Sequence, residues 1–263
     1  YGCHAKELVA YLKSVSPKVL ILNGDVIDGW AFSKRYFPNS HMAVLSEFFK
    51  MMKKGTQVIY ITGNHDEFLR KYTDLSMGNL FLTDKYLLEI EGKKHWIFHG
   101  DVFDHTTSGG AKFIAKLGGM GYDWLILVNR AINWVLEKFG KGKVSLSKKV
   151  KNSVKKAVKF IGDFEKKATE IAINNHYDYV ICGHIHQPAD KIWTTEKGSV
   201  HYLNSGDWIE NLSWLEFDKG NWSLKFFNEK DFEKPIIEKN DISVNMEELI
   251  HPKVFAEFAT QKV

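Results

Sequence analysis

Four short islands constrain this chain more than its composition does: Gly24-Asp25-Val26-Ile27-Asp28, Gly63-Asn64-His65-Asp66, Phe98-His99-Gly100-Asp101 and Gly183-His184-Ile185-His186. Each sets Asp, Asn or His beside a glycine, and all but the His99 island directly follow a short apolar run. A sheet delivers ligands to one edge in this way: the strand ends, glycine bends the chain, and a polar side chain faces a crevice. Carboxylate, amide and imidazole groups without cysteine suit a hydrolytic divalent-metal centre better than a structural zinc site. The islands lie far apart in the chain, so only a folded domain assembles them.

With 263 residues, 44% of them hydrophobic and 26% charged, the chain is long enough for one α/β domain with an insertion. Cys3 and Cys182 are its only cysteines. Cys182 closes the apolar run Tyr179-Val180-Ile181, which predicts a buried thiol, a reducing compartment and a cytoplasmic location. The most apolar stretch, Trp124–Val128, is far too short to cross a bilayer, and no signal peptide is visible. Tyr1-Gly2-Cys3-His4 lacks a starting Met and runs straight into a helical pattern.

Helical spacing predicts helices over 4–15 and 41–54, and the runs Val19–Leu22 and Val58–Ile61 read as buried parallel strands. A hairpin is expected from Tyr86–Glu91 and His95–Phe98, and a further strand at Tyr179–Cys182. Alternation over 191–227 predicts an antiparallel run completing a second sheet. The core is thus expected over 1–105 and 176–230, a helical cap inserted at 106–175, and a polar tail at 231–263. Between Lys141 and Lys167 there are ten lysines against Asp163 and Glu165, although the whole chain carries only +4. Val150, Val154, Val158 and Ile161 form one stripe there, open to two readings: a solvated helix over a core, or a contact with anionic lipid or substrate. The wide apolar arc around Trp124 and Leu127 is likewise open as lipid pocket or dimer surface.

Two divalent cations side by side need a bridging carboxylate, and Asp25 is the natural bridge. Asn64, His99 and His184 then serve one ion, while His186, on the same side of an extended segment as His184, reaches the other. His65 is expected to donate a proton to the leaving oxygen or to stabilise the charge developing on the phosphoryl group, with Asp66 holding its ring. Asp101 is assigned to orient a ligand imidazole, and Asp28 to steady the loop or a water.

Taken together, these islands resemble the calcineurin-like metallophosphoesterases. The resemblance implies a four-layer α/β/β/α sandwich and a dinuclear centre, manganese before iron or zinc. Gly24–Trp30, His99–Asp104 and Asn204-Ser205-Gly206-Asp207-Trp208 look like the UDP-2,3-diacylglucosamine pyrophosphatases, which cut a pyrophosphate to a lipid monophosphate and UMP under a helical cap. That likeness implies a nucleotide-linked lipid substrate, a peripheral position on the cytoplasmic membrane, and substrate contacts at Trp124, Arg130 and Trp208. Two departures stand out. The family's opening Asp-x-His motif, which supplies two ligands to the ion bound by His186, is expected upstream of this sequence. His65 also stands where those pyrophosphatases tend to carry Arg, which points to a sister group. Two alternatives remain: a phosphodiesterase acting on nucleotides or nucleic acid, and an inactive scaffold of the same fold.

Overall fold

The computed structural model describes residues 2–29, 37–103 and 146–232. The first sheet grows from two apolar runs separated by a helix. Strands β1 (Val19–Asn23) and β2 (Gln57–Ile61) pair in parallel, Val19 opposite Gln57 and Asn23 opposite Ile61. β4 (Leu80–Thr83) joins β2 in parallel, and the short β3 (Ser76–Met77) closes the order β1-β2-β4-β3. Helices α1 (Ala5–Ser14) and α2 (Asn39–Lys53) cover one face. Strand alternation decides which residues meet them: Leu20 and Leu22 pack with Ala5, Leu12, Val44, Phe48 and Met51, while Ile21 faces the opposite way.

The second sheet has the order β5-β6-β7-β9-β8. β5 (Lys85–Ile90) and β6 (Lys93–Phe98) form a hairpin around Glu91-Gly92, both at positive φ, as a two-residue turn matched to the strand twist requires. β6, β7 (Tyr179–Cys182) and β9 (Gly198–Asn204) run parallel, and β8 (Ala189–Thr195) returns antiparallel to β9. Ile97, Tyr179, Ile181 and Leu203 meet Ile59 and Ile61 of the first sheet, making a dry core between the sheets. Ile59, Ile61 and Leu203 are fully buried and contribute roughly 1.5–3 kcal/mol apiece. On the outer face, Phe98, Val180, Cys182, Val200 and Tyr202 pack against Phe160, Phe164, Ala168 and Ala172 of helix α3 (Leu146–Asn174). Three apolar interfaces thus separate four layers, helix, sheet, sheet and helix, as the sequence resemblance implied.

Some expectations needed revision. Of the run expected over 191–227, only β8 and β9 join the second sheet. β10 (Ser213–Asp218) and β11 (Asn221–Phe226) form a separate hairpin whose Leu215 and Trp222 seal the inter-sheet core. β4 went unrecognised because Leu80-Phe81-Leu82-Thr83 is short, its local partner β3 is only two residues long, and its main pairing is with the distant β2. Within the stretch expected as a cap, the half of α3 from Phe160 to Ile173 forms the outer layer of the sandwich. The face it buries is Phe160, Phe164, Ala168 and Ala172, at four-residue spacing, whereas Val158 of the anticipated stripe is 64% exposed. Residues 106–145 of the expected cap and the tail from 233 onward lie outside the described residues, as do Trp124 and Arg130.

Candidate metal centre

All four islands sit where parallel strands end: after β1, β2, β6 and β7. The His99 island is no exception, since β6 runs to Phe98. Because the two sheets face each other across one core, their strand ends bring these loops together at a single edge.

There, ligand atoms of Asp25, His99 and His184 lie within 4.8 Å of one another. His99 Nε2 is 3.1 Å from Asp25 Oδ2 and 3.3 Å from His184 Nδ1. The other nitrogen of His99 donates to the Asn23 carbonyl at 2.9 Å, which fixes the tautomer and leaves Nε2 as an electron-pair donor pointing into the cluster. The side-chain oxygen of Asn64 is buried without a hydrogen-bond partner among the described residues, an expensive state for an acceptor. A carboxylate and two imidazole nitrogens converge, with an orphaned amide oxygen on the neighbouring loop. Such a donor set fits a divalent cation.

The electrostatics agree. Burial alone would raise the Asp25 carboxyl, but the His99 ring and the His65 backbone N–H, at 2.9 Å from Oδ1, bring it down to about 2. Burial disfavours a charged His99 ring, yet the Asp25 carboxylate outweighs that and raises its pKa. Asp25, His184 and His186 all occupy left-handed backbone, at φ 54°, 62° and 53°. Non-glycine residues hold that region only where the surroundings over-determine it, a condition common at functional sites. Gly63 shows how tight the assembly is: a Cβ there would stand 2.7 Å from the Asp25 backbone nitrogen and 2.9 Å from His99 Cδ2.

His186 lies outside the three-residue cluster. The segment 184–186 is not extended as expected, since both histidines take the left-handed conformation and Ile185 is buried between them. Asp207 holds His186 Nδ1 at 2.9 Å. Its other oxygen accepts the N–H groups of Ile209, Glu210 and Asn211 at 2.9, 2.7 and 3.0 Å. Burial would raise this carboxyl too, but the His186 ring and the three amides hold it well below the usual carboxylate range. Asp207 was missed as a site residue. Its signal was legible: Gly206-Asp207 follows the apolar strand Val200–Leu203, repeating the pattern of the four islands. Asn204, opening that motif, is fully buried and donates to the Gly183 carbonyl at 2.8 Å.

The carboxylate beside His65 was misassigned. Asp28 Oδ1, not Asp66, stands 3.0 Å from His65 Nδ1. Asp66 is fully buried and accepts from Gly63 N at 2.5 Å, Val26 N at 3.0 Å and the Tyr60 hydroxyl at 2.6 Å. It ties the first two islands together from below. Burial and the Asp66 charge push the Tyr60 phenol up, keeping it a donor. Asp101 is engaged by Arg70 Nη2 at 2.5 Å, and the Nδ1 of His99 goes to a carbonyl instead. Trp208, expected to contact substrate, stacks with Trp214 and Tyr11 at centroid distances of 5.4 and 5.6 Å. Its carbonyl accepts from His4 N at 2.7 Å. That packing ties α1 and the β10–β11 hairpin to the Asp207 loop.

The chain is similar to several known proteins. The chain is 24% identical over 213 residues to a UDP-2,3-diacylglucosamine hydrolase of Aliivibrio fischeri (strain MJ11), covering 81% of this chain and 86% of that one. It is 24% identical over 225 residues to the enzyme of the same name from Blochmanniella pennsylvanica (strain BPEN), covering 81% and 84%. A solved archaeal phosphodiesterase is similar at 13% identity and a TM-score of 0.38, over 85% of this chain and 93% of that one. The family model described as calcineurin-like phosphoesterase matches residues 3–188, and the chain belongs to that family.

Proposed function

We propose that this metal-dependent phosphohydrolase cleaves the pyrophosphate bond of a UDP-linked acylated sugar, giving a lipid monophosphate and UMP at the cytoplasmic membrane surface. The observation that carries the reaction class is the convergence of Asp25, His99 and His184 beside the orphaned Asn64 oxygen. The substrate rests on the relatives named UDP-2,3-diacylglucosamine hydrolase, matched over most of their length. No helix among the described residues is long and apolar enough to span a bilayer.

In this reading Asp25, Asn64, His99 and His184 would hold one divalent cation, and Asp25 with His186 would hold a second. Bound divalent ions, manganese first among the candidates, supply Lewis-acid polarisation of phosphoryl oxygens and ease deprotonation of water. The chain's own groups do the rest. Asn23 and Asp207 set the tautomers of His99 and His186. Asp28 orients His65, which protonates the departing oxygen. Water adds its oxygen to one phosphorus and gives up a proton to solvent, the bridging P–O bond breaks, and the released oxygen takes the proton of His65, which the ring regains from solvent.

Incubating the full-length protein with Mn²⁺ and UDP-2,3-diacylglucosamine should release UMP. Turnover of simple phosphodiesters without UMP release would remove the lipid substrate and favour the nucleotide or nucleic-acid phosphodiesterase. Absence of metal binding would favour the scaffold.

A further inference from the structure

Helix α3 reaches the metal edge through Phe164. Phe164 is fully buried, and its ring lies 6.2 Å from the His184 ring and 5.5 Å from the Phe103 ring. Gly100 follows His99 and runs at φ 125°. A Cβ on Gly100 would come within 2.6 Å of Phe164 Cζ and 3.3 Å of the His184 Cβ. No side chain fits on Gly100, so the His99–Gly100 turn packs closely against both the Phe164 ring and His184.

The helix is locked in register one residue later. Glu165 is buried, and Lys191 Nζ on β8 meets its two carboxylate oxygens at 2.7 and 2.9 Å. Ala168 and Ala172, both fully buried, let the helix axis approach the sheet. Its direction follows from its two ends. Ile173 lies against Gly198 at the start of β9, whereas Phe164 lies at the ends of β6 and β7. The helix therefore runs antiparallel to these strands. Residues 146–163 continue roughly 27 Å beyond the Phe164 contact, past the edge that carries His99 and His184.

We propose that Phe164 is a positioning residue for the metal centre: packed against both the His99–Gly100 turn and His184, it lets the seating of α3 set the spacing of two imidazole ligands. This rests on the reading of Asp25, His99 and His184 as ligands. His184 sits at φ 62°, a backbone state that needs external support, and Phe164 is part of that support. A buried ring acting only as filler would stabilise the fold without affecting metal affinity.

The experiment compares Phe164→Ala with Phe160→Ala in the full chain. Phe160 is another buried aromatic of the same core, one helical turn before Phe164. Mn²⁺ affinity is measured by calorimetry, histidine ring resonances by NMR on metal-stripped protein, and stability by thermal melting. Phe164→Ala should weaken Mn²⁺ binding by roughly 10–100-fold, as loss of a ligand-orienting partner does, and should shift the His99 and His184 resonances. Phe160→Ala should lower the melting temperature while leaving both readouts near wild type. Equal loss of affinity in the two variants, or wild-type affinity in Phe164→Ala, overturns the positioning role. Should either alanine variant fail to fold, Phe164→Leu against Phe160→Leu is read the same way. A wild-type chain that binds no divalent cation overturns the metal-centre reading itself.

Discussion

Asp207 grips His186 Nδ1 at 2.9 Å with one oxygen while its other oxygen is fixed by three consecutive backbone amides. A carboxylate pinned this way orients the imidazole more firmly than a mobile side chain would. Asp207→Ala should therefore weaken divalent-cation binding by roughly 10–100-fold and cut turnover in parallel. Calorimetric titration with Mn²⁺ checks this, and undiminished affinity would remove Asp207 from the site.

The same carboxylate makes stability pH-dependent. Its folded pKa is depressed, so its contribution is complete above the ordinary carboxyl pKa of roughly 4 and drains away as pH falls through the folded value. Asp25, lowered to about 2, acts with the same sign. Urea unfolding followed downward from pH 6 should show falling stability below about pH 4, and Asp207→Asn should flatten that fall in part. Superimposable profiles for the two proteins would contradict the assignment.

Asp66 and His65 are neighbours with separable roles. Asp66→Ala leaves Gly63 N, Val26 N and the Tyr60 hydroxyl without their acceptor, at a cost of about 1–3 kcal/mol for each group that stays buried. Equilibrium unfolding should register that loss. His65→Ala, by contrast, should keep near-native stability and metal content while turnover drops by roughly 10²–10⁴. The reverse pattern would exchange the two assignments.

Gly63 is demanded by close approach rather than by backbone conformation. Gly63→Ala forces a methyl between the Asp25 backbone and the His99 ring, so the two islands must separate. The expected result is a folded protein whose Mn²⁺ affinity falls at least ~10-fold, read from a thermal melt and a metal titration on the same sample. Retained affinity would mean the loops can part without disturbing the cluster.

Metal should also stabilise the fold. At a free concentration 100 times the dissociation constant, a ligand that binds only the native state adds about 2.7 kcal/mol. Mn²⁺ should raise the melting temperature in a concentration-dependent way, and a chelator should reverse it. His99→Ala should abolish the response, since His99 stands at the centre of the cluster.

Much of the fold was legible because it is written in short-range periodicity. The apolar runs of β1, β2 and β7 and the helical spacing of α1 and α2 matched the observed elements to within a few residues. The hairpin β10–β11 read as part of the second sheet because alternation marks a strand but not its partner. Of the stripe predicted on α3, Ile161 packs against the core while Val158 is exposed, and Phe160, Phe164, Ala168 and Ala172 make the buried face.

Sequence alone therefore determined that acceptor-bearing loops end successive strands, and that such a set suits a divalent cation. Glycine, apolar run and ligand are adjacent in the chain, so local chemistry suffices to see them. Only the tertiary structure decided which carboxylate serves which histidine: Asp28 reaches His65 across the first sheet's loops, Asp207 takes His186, and Asp66 turns inward to Tyr60. Those pairings depend on how closely distant loops approach, which is set by core packing between and around the two sheets. Neighbours in sequence carry no record of it.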